Sequence, residues 1–150
     1  MTPAWVNDYV GLPFRSLGRD RAGVDCWGLV CLVYREQFGR EIPAYSESYA
    51  SAYDRAEIDA LIRGATATPD WQRVERGKEA LGDLVLIRCG GRPTHVGIVV
   101  DPREKKFLHS QGEPPSFAGQ MRSATPSCTD RWDELTWRNR ILGFYRYAGC

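Results

Sequence analysis

Helices in the first half and an antiparallel sheet in the second, an α+β fold, is what the order of patterns along this chain predicts. Two changes in the sequence carry that expectation. Up to about residue 64 the apolar residues recur at helical spacing or fill a whole segment. From Trp71 onward they fall in short runs and alternations bounded by Gly, Pro and Asp. The later runs are joined by turns of a few residues, which pairs neighbouring strands antiparallel, whereas a parallel sheet needs a long crossover between strands. A third observation, the length of 150 residues, predicts one domain over residues 1–150.

Each element has its own signals. Thr2-Pro3 reads as N-cap and first helical residue of a short helix through Trp5, Val6, Tyr9 and Val10, stopped at Gly11. Residues 11–23 carry three glycines and three arginines and read as a loop. Asp25 is a favoured N-cap and Gly39 a favoured stop. Between them Leu29, Val30, Leu32, Val33 and Tyr34 cover nearly every face, so this helix is expected to be buried and central. Glu41 to Ser51 has no period and reads as an exposed excursion. Asp54-Arg55-Ala56-Glu57 is a capping box for a helix with the stripe Ile58, Leu61, Ile62, ending near Gly64. Strands are expected at Trp71–Val74, Asp83–Cys89, His95–Val100, Lys106–Ser110 and Ile141–Tyr147, with a loop at 112–126 and a short helix within Thr129–Trp137.

Composition narrows the function. Twenty basic against nineteen acidic residues leave a net charge of +1, so nothing pulls this chain in bulk toward nucleic acid or a membrane surface. No apolar run approaches the 18 or so residues of a membrane span. Met1 to Trp5 lacks the basic-then-apolar pattern of a signal peptide, which predicts synthesis and retention in the cytoplasm unless another particle carries the protein out. Five cysteines without a C-x-x-C pair, and two histidines, offer no structural zinc motif. A reduced protein without metal or cofactor is expected.

One residue type stands where chemistry favours it. Cys26 falls in the first turn of the central helix, where free backbone N–H groups and the dipole favour an anion. Thiols so placed have pKa values lowered from about 8.5 to as little as about 3.5–7.5. Cys31, inside the same helix, reads as packing. His95 opens one predicted strand and His109 lies in the next, with the Asp101-Pro102 turn roughly midway between them. If both face the Cys26 helix they assemble a nucleophile, a base and an orienting group, as a thiolate–imidazolium pair that needs no metal.

Five blocks then line up in order: Gly11-Leu12-Pro13-Phe14, Asp25-Cys26-Trp27-Gly28-Leu29-Val30, Leu81-Gly82-Asp83-Leu84-Val85-Leu86, His95-Val96-Gly97-Ile98-Val99 and Phe107-Leu108-His109. Together they resemble the NlpC family of papain-like cell-wall peptidases, over about residues 5 to 112. The ending Ile141-Leu142-Gly143-Phe144-Tyr145-Arg146 resembles the branch found in tailed bacteriophages and phage-derived gene transfer agents. The resemblance implies a papain-like core that hydrolyses peptidoglycan stem peptides, commonly at the bond between D-glutamate and a diamino acid. It implies Cys26 as nucleophile, His95 as base and His109 as the residue orienting His95. An oxyanion would meet the Cys26 backbone N–H and a donor on Asp25, each such donor being worth about 2.7–4 kcal/mol of barrier. Two positions depart from the family: Trp27 stands where Ser is usual, and Phe14 where a Tyr hydroxyl often faces the site, with Tyr9 or Tyr34 as possible replacements. Arg15, Arg19 and Arg21 are the candidates for holding a substrate carboxylate.

The implied partners are peptidoglycan stem peptides and the hub or tip proteins of a phage-like tail, with action in the periplasm of a recipient cell. A competing reading keeps the fold but not the chemistry: a structural tail-tip component, with Trp132 and Trp137 as exposed anchors for a partner.

Overall fold

The computed structural model describes residues 1–45, 49, 55–89, 91–111 and 126–149. The chain opens with a 3₁₀ turn over Ala4–Tyr9 rather than an α-helix. Pro3 sits at its cap without a side-chain bond, and the Thr2 hydroxyl donates to Asp101 Oδ2 at 2.8 Å instead of capping the turn. The glycine- and arginine-rich stretch that follows is not wholly irregular. It contains a small antiparallel hairpin, β1 (Arg19–Asp20) with β2 (Gly23–Val24).

Helix α1 (Cys26–Gln37) starts as expected on Asp25, whose side chain accepts from the Gly28 backbone N–H. Every residue from Gly28 to Tyr34 is buried, and Gly39 takes a left-handed φ of +61° just past the end. Gly28 is required by contact. A Cβ there would lie 1.8 Å from the Gly18 carbonyl oxygen, so the loop is pressed against the first turn of α1. Helix α2 (Arg55–Thr66) runs through Gly64, and the Thr66 hydroxyl bonds back to the Ile62 carbonyl at its end. Asp54, the expected cap, lies outside the described residues. The stretch read as an exposed excursion is pinned at two described points, since Ile42 and Tyr49 are buried.

The sheet is built from β3 (Trp71–Val74), β4 (Leu84–Cys89), β5 (Arg92–Asp101), β6 (Lys106–His109), β7 (Cys128–Arg131) and β8 (Ile141–Tyr147). Its spatial order is β3-β8-β4-β5-β6-β7, antiparallel at every pairing. The last strand therefore enters the sheet between β3 and β4. Pro93 is accommodated inside β5 next to a register shift at Ile87/Arg88, in keeping with the confinement of proline to irregular ladder positions. The loop expected at 112–126 lies almost wholly outside the described residues.

Both faces of the sheet are covered. Leu84, Leu86, Val96, Ile98, Val100 and Leu108 pack with α1 in one cluster. Val85, Ile87, Val99, Phe107 and Phe144 pack with Trp132 and Trp137 in another. Two expectations fail here for one reason. The segment Thr129–Trp137 is strand β7 followed by turns, not a helix, and Trp132 and Trp137 are each only 6% exposed. The far face of the sheet needed an apolar cover, and these rings supply it, so they are not free anchors for a partner.

Candidate active site

Asp25 fixes the mouth of α1. Its Oδ1 accepts from the Gly28 N–H at 2.8 Å and from Arg19 Nη1 at 2.9 Å. Its Oδ2 accepts from the Leu17 N–H and from the Tyr49 hydroxyl, so the buried carboxylate is fully engaged as a cap. The side chain gives an oxyanion nothing. What residue 25 can offer is its backbone N–H.

Cys26 is half-buried and lines a pocket together with His95, Thr94, Val96, Ser110 and Gln111. The backbone N–H groups of Val96 and Trp27 are directed at its sulfur. The thiol thus stands beside the strand residue that follows His95. Burial, reinforced by the adjacent Asp25 carboxylate, pushes this thiol up to about 12. This direction is opposite to the acidification expected from the helix terminus. A helix terminus stabilises a charge by at most about 2 kcal/mol, or roughly 1.5 pKa units, and desolvation together with the neighbouring Asp25 carboxylate outweighs it here. His95 is held well below the ordinary histidine value, first by burial and then by His109 and Arg140. Both shifts favour the neutral forms, a thiol and an imidazole that line the same pocket.

His95 and His109 are brought together, though not on the face the sequence suggested. His95, Gly97 and Val99 alternate along β5 with Val96, Ile98 and Val100, and it is the second set that packs with α1. The two histidines instead stand with Phe107 and Trp137. His95 Nε2 lies 2.8 Å from His109 Nδ1, and His109 Nε2 lies 2.7 Å from Asp130 Oδ2. The His109 bond holds the Asp130 carboxyl below its usual range, so it is ionised and can only accept. His109 Nε2 must then carry the proton. His95 Nε2–H can then donate to His109 Nδ1, an arrangement that leaves His95 Nδ1 bare as a proton acceptor.

Asp130, on β7, was not read from the sequence. It has no motif around it and is brought to the site only by strand pairing, Phe107 lying opposite it in the ladder. Tyr49 was missed because it stands in the irregular stretch read as an exposed excursion, and only its bonds to Asp25 and Arg19 bring it to the site.

The other expected residues divide. Trp27 and Phe14 both line the pocket. The Trp27 indole N–H donates to the Pro43 carbonyl, and its ring packs edge-on to Trp71, which fixes it as a wall. Tyr9 and Tyr34 do not replace the missing hydroxyl: Tyr9 bonds Glu36 and Tyr34 bonds the Gly82 carbonyl, both away from the pocket. Arg19 is taken up by Asp25, Tyr49 and the Ala44 carbonyl, and Arg21 by Glu36. Exposed Arg15 makes no ion pair among the described residues and is the one arginine of the three left for a substrate carboxylate.

A cysteine at the mouth of a buried helix, laid against an antiparallel sheet that carries the histidine, is the α+β papain-like arrangement. The chain aligns with a Bacillus cereus NlpC/P60-family protein at a TM-score of 0.62 and 19% identity, over 99% of this chain and 42% of that one. It aligns with a Staphylococcus aureus protein of the same family at 0.61 and 18%, over 95% and 39%. This chain belongs to the NlpC/P60 family, whose model matches residues 11–144. It is 33% identical over 103 residues to the Escherichia coli K12 murein DD-endopeptidase MepS/murein LD-carboxypeptidase, covering 69% of this chain and 44% of that protein. It is 25% identical over 143 residues to the probable endopeptidase NlpC of the same organism, covering 93% and 77%. The chain thus spans less than half the length of MepS.

Proposed function

We propose that this chain is a cysteine endopeptidase that cuts peptidoglycan stem peptides. The observation that carries the proposal is the line of groups from the pocket inward: Cys26 and His95 on one wall, then His109, then Asp130. In this reading the Cys26 thiol passes its proton to His95 Nδ1 as sulfur attacks the peptide carbonyl. The oxyanion meets the Cys26 backbone N–H. His95 returns the proton to the leaving amine as a thioester forms. Water, deprotonated by His95, then attacks the thioester, releases the acid and restores the thiol. Because the resting pair is neutral, the thiolate is generated only in the attack itself.

The names of the relatives, a murein DD-endopeptidase and a probable endopeptidase, support a cell-wall substrate. The bond we propose is that between D-glutamate and the diamino acid. The name of MepS favours the D,D cross-link as a second reading. We assign the enzyme to a phage-like tail or gene transfer agent, held by hub or tip proteins and opening the recipient's wall from the periplasm. That assignment rests on the resemblance of Ile141 to Arg146, which form most of strand β8.

Incubation of the wild type and Cys26→Ala with purified muropeptides, followed by mass spectrometry, tests the proposal. Cleavage by the wild type, reduced roughly 10³-fold or more in the variant, is expected, and the product masses distinguish the two bonds. Equal, negligible turnover by both proteins overturns it.

A further inference from the structure

We propose that His109, Cys128 and Asp130 form a zinc site that switches the peptidase off by reversing the proton order of the His95–His109 pair. The switch rests on the reading of His95 as the base, whereas the site itself does not.

The three donor atoms lie within 4.8 Å of one another. His109 Nε2 is 3.6 Å from Cys128 Sγ, Cys128 Sγ is 3.7 Å from Asp130 Oδ2, and Asp130 Oδ2 is 2.7 Å from His109 Nε2. Tetrahedral zinc with bonds of about 2.0–2.1 Å to nitrogen, 2.3 Å to sulfur and 2.0–2.2 Å to oxygen needs edges of roughly 3.6, 3.6 and 3.4 Å. Two of the three edges already have those lengths. The third is a hydrogen bond and opens by about 0.7 Å once a metal replaces its proton. One nitrogen, one thiolate and one carboxylate suit zinc better than calcium or magnesium, which take oxygen donors. The site is also reachable. Cys128 is half-buried and the Asp130 side chain is 32% exposed, while His109 behind them is only 2% exposed, which leaves the fourth position to water. Cys128 and Asp130 belong to β7 and His109 to β6, and register alone, with His109 opposite Cys128, brings the ligands together. No short spacing motif announces such a site.

Two protons now point at one carboxylate: the Cys128 thiol donates to Asp130 Oδ2, and so does His109 Nε2–H. A dication on the three donors displaces both. Neutral His109, metallated at Nε2, carries its proton on Nδ1 and donates it to His95 Nε2. His95 then holds its own proton on Nδ1, the nitrogen that must be bare to accept from Cys26. The two rings carry two protons before and after, and one proton, that of the Cys128 thiol, leaves to solvent. No redox change or further reactant is involved.

The test uses the full chain. With cobalt(II) as the probe, Cys26→Ala protein is expected to show thiolate-to-cobalt charge-transfer absorption. That band should vanish when Cys128→Ser or Cys128→Ala is added. In the muropeptide assay, zinc should inhibit the wild type and a chelator should restore it. Cys128→Ser, compared with its own metal-free rate, should need at least about tenfold more zinc. A missing cobalt band, or one that survives loss of Cys128, overturns the site. Equal zinc sensitivity of wild type and Cys128→Ser places the inhibiting ion away from Cys128 and overturns the switch. A cobalt band that depends on Cys128, in a protein with no metal-free hydrolysis, overturns the peptidase reading and the switch while the site stands.

Discussion

Asp130 decides which nitrogen of His95 is free. It touches no reacting atom; it acts through His109 Nε2, 2.7 Å away, and so is a positioning residue. Removing such an outer partner typically costs about 10–100-fold in activity, so Asp130→Ala should lose that much kcat with KM nearly unchanged. Asp130→Asn keeps an acceptor oxygen and should recover part of the loss. Equal damage by both variants, or an effect confined to KM, would mean that the tautomer is set elsewhere. His95 adds a pH signature. Its folded pKa lies well below the ordinary value. Its neutral form therefore contributes stability fully above about pH 6.5, lost as pH falls through the folded value. The acid limb of kcat/KM should lie below 6.5 in the same way. The seat of Cys26 in the first turn of a helix and the places of His95 and His109 on neighbouring strands were legible in the sequence because caps and alternation are local signals, although β5 begins at Arg92 and not at His95. The state of the Cys26 thiol was not, because burial and the facing strand are supplied by distant residues and outweigh the dipole of its own helix.

Strands β5 and β6 carry the histidines, and one small residue lets them meet. The paired ladder runs Val99↔Phe107 and Ile98↔Leu108 toward Gly97 and His109. A Cβ on Gly97 would lie 2.7 Å from Phe107 Cδ2 and 3.3 Å from His109 Cβ. Overpacking of this kind costs about 1–3 kcal/mol. Gly97→Ala should therefore lower Tm by roughly 2–12 °C for a chain of this size, and lower kcat as His109 is pushed off His95. Calorimetry together with the muropeptide assay checks both; an unchanged Tm would mean that Phe107 swings aside. Both strands and the turn between them were legible from alternation and from Asp101-Pro102. The face on which the histidines stand was not. Alternation says which residues share a face, but only the Trp132 and Trp137 cover reveals that the second face is buried too. Strand β7 escaped notice because Cys128-Thr129-Asp130-Arg131 has no apolar alternation, and its half-exposed place at the sheet edge requires none.

Across the molecule, the α+β order was legible because period and turn chemistry change together near Trp71. The sheet order was not, since nothing local says that Ile141–Tyr147 inserts between β3 and β4. That insertion joins the two halves. The N-terminal helix brings the sulfur, the middle hairpin brings the imidazole pair, and β7, reached through residues 110–127, brings the carboxylate that orders their protons. The account thus requires covalent chemistry at one atom, the Cys26 sulfur, and acid quenching during turnover of a stem-peptide substrate, followed by peptide mapping, looks for it there. A stem-peptide thioester on Cys26 in the wild type, absent when His95 is replaced by alanine, is the predicted result. An adduct mapped to any other residue, or turnover undiminished in Cys26→Ala, would contradict it.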